Sequence, residues 1–190
     1  MVNNKRAVHL HVEGVPNPNA MKIVLDNGIL ADKSYEYQSL GETENSPLAR
    51  KLMMHRHVER VMINRNYVTI LKKKEKSPPW NEILFELRAI IHQHLEADEP
   101  IMYIGSEPLK HRPSDDVVAE MIFDFMNKAV RPAAQEDGGD IIFESYEKGV
   151  LTVSMHGACH GCPYIRQTIK EGVETALLSF VPELREVRTL

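Results

Sequence analysis

The first half of the chain carries several short strand-like patterns. In residues 8–12 the apolar Val8, Leu10 and Val12 share one face and polar residues the other, which predicts a half-buried strand. Shorter patterns of the same kind predict further strands at residues 21–25, 35–37, 58–63 and 67–71. The last two are separated by a three-residue turn and are expected to pair as a hairpin.

Two helices are predicted between and after these strands. Ser46 followed by Pro47 is typical of a helix start, so we expect a short helix that runs to about residue 55. Apolar residues at helical spacing from Ile83 to Leu95 predict a longer amphipathic helix that ends near residue 97.

The second half predicts a helix, a hairpin, a cysteine-containing loop, a second helix and a last strand. An apolar stripe over 117–130 indicates the first helix, and Pro132 is expected to end either the helix or its apolar stripe. Alternating residues at 141–146 and 150–155 predict the hairpin. After the loop the second helix is expected to begin at Pro163, and residues 184–190 could form the strand.

These patterns divide the chain into two small α+β domains, and α+β is the predicted fold class. Residues 1–97 form the first domain and residues 114–190 the second. Residues 98–113 contain Gly105, Pro108 and Pro113 without sustained periodicity, and we interpret them as the linker.

Composition and charge narrow the classes of function. The net charge of −4 and the pI near 6.1 argue against a general nucleic-acid binder, which needs a basic surface. No apolar run is long enough to span a bilayer, so no membrane role is expected. The polar residues at 1–6 lack the features of a secretory signal, and we therefore expect a soluble, cytoplasmic protein.

The only two cysteines, Cys159 and Cys162, are the strongest chemical signal. The C-x-x-C spacing allows both sulfurs to bind one metal centre, and Gly157 and Gly161 let the backbone approach it closely. The start of the following helix would favour the thiolates. A [4Fe–4S] cluster or a structural zinc takes four ligands, so two copies of the loop meeting across a twofold axis would complete the shell.

Other interpretations of the pair remain open on spacing alone. A redox-active dithiol also uses C-x-x-C at the start of a helix. A zinc site could form across a dimer, or within one chain with His156 and His160. Two unligated thiols are the simplest alternative. His92 and His94 lie two residues apart on a predicted helix and do not face each other, so they are a poor ligand pair. His9 and His11 share one face of the first predicted strand and are expected to be exposed to solvent.

The surroundings of the cysteines resemble the C-terminal domain of the NifU/Nfu iron–sulfur scaffold family. The resemblance includes Val130-Arg131-Pro132, Asp137-Gly138-Gly139-Asp140 and Gly157-Ala158-Cys159-His160-Gly161-Cys162-Pro163. In the first half, Pro16-Asn17-Pro18-Asn19 and Ser46-Pro47-Leu48-Ala49 are similar to the N-terminal domain found in many Nfu proteins. The resemblance therefore spans nearly the whole chain.

This resemblance implies a carrier without enzymatic activity. A homodimer would hold a [4Fe–4S] cluster through Cys159 and Cys162, receive it from upstream assembly proteins and pass it to apo iron–sulfur proteins. The sequence leaves a [2Fe–2S] cluster open. Tyr164 and Ile165 stand where the family often has small residues, which bears on solvent access. The first domain lacks cysteine and is expected to recruit partners.

Overall fold

The computed structural model describes residues 7–75, 77–103, 108 and 116–190, with only the backbone at 166, 168 and 170. It contains helices and strands in both halves, which confirms the α+β class. The described residues of Met1–Gly14 and Asn19–Pro108 form one compact unit. Those of Val15–Pro18 and Leu109–Leu190 form the other, so a short segment from the beginning of the chain belongs to the second unit. The predicted linker lies partly outside the described residues.

The first unit is built on a five-stranded antiparallel sheet with the order β1-β2-β5-β4-β3. The strands have the following bounds: β1 Leu10–Glu13, β2 Ala20–Leu25, β3 Tyr35–Tyr37, β4 Val58–Ile63 and β5 Tyr67–Lys72. All the strands predicted in this half are therefore confirmed. The hairpin of β4 and β5 supplies the centre of the sheet, where residues are buried on both faces.

Two helices pack in the core of the first unit, α1 at Pro47–Met53 and α2 at Trp80–Glu96. The side chain of Ser46 caps α1 by accepting a hydrogen bond from the backbone N–H of Ala49, as the Ser-Pro signal predicted. A 3₁₀ helix at Leu40–Asn45, which the sequence did not predict, precedes α1.

The second unit has a three-stranded sheet with the order β6-β7-β8. Strands β6 (Gly139–Glu147) and β7 (Val150–Gly157) form the predicted antiparallel hairpin, and β8 (Glu186–Thr189) pairs parallel to β7. The parallel pairing requires the chain to cross over after β7, and the cysteine loop lies at the beginning of this crossover.

Pro132 does not end the first helix of this unit, contrary to expectation. Helix α3 (Val117–Phe125) passes through a π-helical turn at Met126–Val130 into α4 (Arg131–Glu136). The wider π-helical turn lets the helix continue through the proline, whose nitrogen has no N–H for the i→i−4 hydrogen bond of a regular α-helix. The cap of α3 is Asp116, whose side chain accepts hydrogen bonds from the backbone N–H groups of Val118 and Ala119.

The helix after the cysteines begins later than predicted, at Ile165 instead of Pro163. It comprises α5 (Ile165–Gln167), a π-helical segment at Thr168–Glu174 and α6 (Thr175–Leu178). Residues 163 and 164 are in a turn that continues the cysteine loop. Neither cysteine is therefore adjacent to the first helical residue.

Candidate functional site

The cysteine loop is a succession of tight turns directly after β7. The backbone N–H of Cys159 donates to the carbonyl of His156 at 3.2 Å, and that of Cys162 donates to the carbonyl of Cys159 at 3.3 Å. Gly157 and Gly161 have φ angles of 55° and 63°, in the left-handed region that L side chains rarely adopt. The sequence thus folds here into a compact loop that brings its only two thiols into one segment.

Cys159 is seated against the start of β6, where Gly139 leaves no room for a side chain. A Cβ atom built on Gly139 would lie 2.3 Å from the Cys159 Sγ and 2.8 Å from its backbone nitrogen. The neighbouring carbonyl of Gly138 accepts a hydrogen bond from Ala158 at 3.1 Å. Gly139, the second glycine of the pair, therefore leaves the space that the cysteine loop occupies.

A buried ion pair fixes the same end of β6. Asp140 is fully buried, and its two carboxylate oxygens accept hydrogen bonds from Arg131 Nε at 2.8 Å and Nη2 at 2.7 Å. Gln135 and the backbone N–H of Ile141 donate to the same carboxylate. This pair ties α4 to the strand next to Cys159. Sequence reasoning missed it, although both residues lie in motifs that the resemblance singled out.

Burial and nearby negative charge keep Cys159 protonated when no metal is bound. Its side chain is buried, and desolvation, followed by the charge of Asp140, raises the pKa of the thiol to about 12. The expected stabilisation of the thiolate by a helix start is not seen at this cysteine. A redox dithiol of the thioredoxin type depends on a lowered pKa, whereas this environment raises the pKa of Cys159. A metal ion would supply the positive charge that the thiolate lacks.

The segment Val15–Pro18 of the second unit covers the cysteine loop. Asn17 is 1% exposed, and its side-chain nitrogen donates to the carbonyls of Ala158 at 2.9 Å and His160 at 3.0 Å. Pro16 and Asn17 also line a cavity of about 300 Å³ that reaches both cysteines. No local sequence pattern connects residues so far apart in the chain.

Within one chain, Cys159 and Cys162 are the thiols that could bind a metal. Among the described residues no group of three or more His, Cys, Asp and Glu side chains is arranged to hold a metal ion. His156 is engaged with Ser154, whose hydroxyl donates to Glu144 and lies 2.9 Å from the His156 Nε2. A histidine-completed zinc site within one chain therefore receives no support from these residues.

Two protein families match the chain over most of its length. Residues 10–98 match the family described as "Scaffold protein Nfu/NifU N terminal", and residues 122–188 match the "NifU-like domain". The fold and the cysteine loop are thus those of a two-domain scaffold protein. The chain belongs to the Nfu/NifU scaffold family, as the resemblance indicated.

Named relatives agree with this assignment. A protein of Drosophila willistoni, "NFU1 iron-sulfur cluster scaffold homolog, mitochondrial", is 30% identical over 98% of this chain. The human protein of the same name is 28% identical over 96% of the chain. The chain spans 65% of the length of the fly protein and 72% of the human one.

A solved structure, that of a NifU-like protein from Saccharomyces cerevisiae, is 26% identical with a TM-score of 0.45. It covers 54% of this chain and 90% of its own.

In the part of the chain that the structure describes, no helix is long and apolar enough to cross a membrane.

Proposed function

We propose that this protein is an iron–sulfur cluster carrier that holds a [4Fe–4S] cluster between two copies of the chain. Cys159 and Cys162 of each copy would supply the four thiolates that such a cluster requires. The observation that supports this proposal is the donor set: two thiols in one tight loop, with no further metal-ligand group among the described residues.

The cluster would be cargo and not a permanent cofactor. Transfer consists of ligand exchange, in which a thiolate of an apo iron–sulfur protein forms a bond to iron as the bond to Cys159 or Cys162 breaks. The proton released by the incoming thiol is taken up by the departing cysteine. No general base or nucleophile of the chain is needed, in keeping with the scaffold family and its non-enzymatic role.

The proposed partners are upstream assembly proteins that load the cluster and apo-proteins that accept it. The first unit, which lacks cysteine, would recruit some of them.

The cytoplasmic location remains a prediction, and both named relatives carry the word mitochondrial in their names. Cell fractionation with antibodies to this protein distinguishes the two compartments.

Anaerobic reconstitution with iron and sulfide tests the proposal. We expect about four irons and about four sulfides per two chains, and loss of both in Cys159→Ser and in Cys162→Ser. Ser154→Ala, which changes a hydroxyl on the neighbouring strand β7, should retain the metal. Stoichiometric zinc without sulfide, or a metal-free dithiol, would overturn the proposal in favour of the zinc or redox alternative.

A further inference from the structure

The Asn17 side chain makes a contact that the carrier function alone does not explain. Its amide nitrogen has two hydrogens and donates to the carbonyls of Ala158 and His160, at 2.9 Å and 3.0 Å. These carbonyls belong to the residues on either side of Cys159. One side chain therefore holds the backbone before and after a proposed ligand.

The burial of Asn17 makes this arrangement specific. An amide that is 1% exposed must find hydrogen-bond partners inside the protein, because an unsatisfied polar group at such a position is unfavourable. A carbonyl oxygen only accepts, so the amide must point its nitrogen, and not its oxygen, at the loop. Aspartate would have the same shape but would turn acceptors towards acceptors.

The segment also forms part of the wall of the cavity that reaches the thiols. Pro16 and Asn17 line this cavity together with Cys159, Cys162 and Tyr164. Cys159 is buried and Cys162 is partly buried. The segment is thus in a position to determine both the shape of the cysteine loop and the access of solutes to its sulfurs.

We infer that Asn17 is a positioning residue, which holds the cysteine loop in the ligand-presenting conformation and keeps the thiols shielded when no metal is bound. Losing the two hydrogen bonds lets the loop open more often. Two neutral hydrogen bonds correspond to an increase of roughly 5- to 150-fold in the open population. The effect on the metal-free thiols does not depend on the cluster, whereas the effect on a bound cluster rests on the proposed function.

The test is site-resolved labelling of the metal-free full-length protein with N-ethylmaleimide, read by peptide mass spectrometry. Asn17→Ala and Asn17→Asp should both label the buried Cys159 at least about 5-fold faster than the wild type, and the partly buried Cys162 should change less. Asn27→Ala, at an exposed asparagine of the first unit, should label at the wild-type rate. Labelling within twofold of the wild type in both Asn17 variants would overturn the inference.

Two further measurements separate positioning from general loss of structure. Asn17→Ser retains one donor, and its thiols should be labelled at an intermediate rate. This variant decides the test if Asn17→Ala and Asn17→Asp no longer show the circular dichroism spectrum of the folded protein. After reconstitution, the visible circular dichroism bands of Asn17→Asp should differ from those of the wild type. If no variant and no wild-type sample binds iron, the proposed function fails, while the labelling result still decides the role of Asn17.

Discussion

Replacing Gly139 with alanine should displace the cysteine loop. The new Cβ would lie 2.3 Å from the Cys159 Sγ, about 1 Å closer than ordinary contact allows. It would also lie 2.8 Å from the backbone nitrogen of Cys159, which cannot rotate away as a flexible side chain can. Either the start of β6 or the loop itself must therefore shift.

The size of the effect follows from overpacking in a buried region. Forcing an extra methyl group into a packed core costs about 1–3 kcal/mol. Alanine also restricts the unfolded chain, which offsets about 0.4–1 kcal/mol of that cost. We expect Gly139→Ala to lower the free energy of unfolding of the second unit by about 1–2 kcal/mol.

Hydrogen exchange of the β6 and β7 amides is the appropriate assay, because it reports on the second unit separately from the first. The matched control is Gly172→Ala, at a helical glycine where an added Cβ meets nothing within 4 Å. This control should leave the unit as stable as the wild type or stabilise it by up to about 1 kcal/mol. Equal protection in Gly139→Ala and the wild type would refute the steric argument.

Three further substitutions test other parts of the account. Asp140→Asn should lower the free energy of unfolding of the second unit by about 3 kcal/mol in urea, because Arg131 loses its buried partner. Asp124→Asn, in an exposed pair with Lys128, should change it by less than about 0.5 kcal/mol, and similar losses of stability in the two variants would contradict the role of burial. Ser46→Ala should lower the free energy of unfolding of the first unit by about 1–2 kcal/mol, because α1 loses its cap. Ser39→Ala, at an exposed serine, should not lower it, and an unchanged unfolding midpoint in Ser46→Ala would contradict the capping argument. Burial lowers the pKa of His94 below 6.5, so the folded state binds fewer protons than the unfolded state, and the free energy of unfolding should fall by up to about 1.4 kcal/mol per pH unit as the pH drops below 6.5. Unfolding of His94→Gln at several pH values should show a weaker dependence of this free energy on pH, and a dependence identical to that of the wild type would refute the argument.

Local sequence patterns predicted the elements that depend on nearby residues. The alternation at Val8, Leu10 and Val12 and the Ser46-Pro47 signal each concern a few adjacent positions, and the structure has β1 and α1 there. Pro132 misled the prediction because a π-helical turn absorbs the missing hydrogen bond. The helix after the cysteines also starts later, since residues 163 and 164 continue the turns of the loop.

The surroundings of the cysteines could not be predicted from local patterns. The pairing of Arg131 with Asp140 depends on how α4 packs against β6, and the contact of Asn17 with Ala158 joins residues 141 positions apart. Such contacts carry no periodic signal. The Asn17 contact also bears on the predicted division at residue 97. A truncation there would remove a segment that packs with the second unit, so the full chain is the better object for cluster experiments.

Native mass spectrometry of the anaerobically reconstituted protein tests the shared cluster most directly. The account predicts a species of two chains that carries one cluster of about four irons and four sulfides, absent from Cys159→Ser and Cys162→Ser. A cluster found on a single chain, or a two-chain species that retains its cluster in either variant, would contradict the claim that two cysteine loops hold it together.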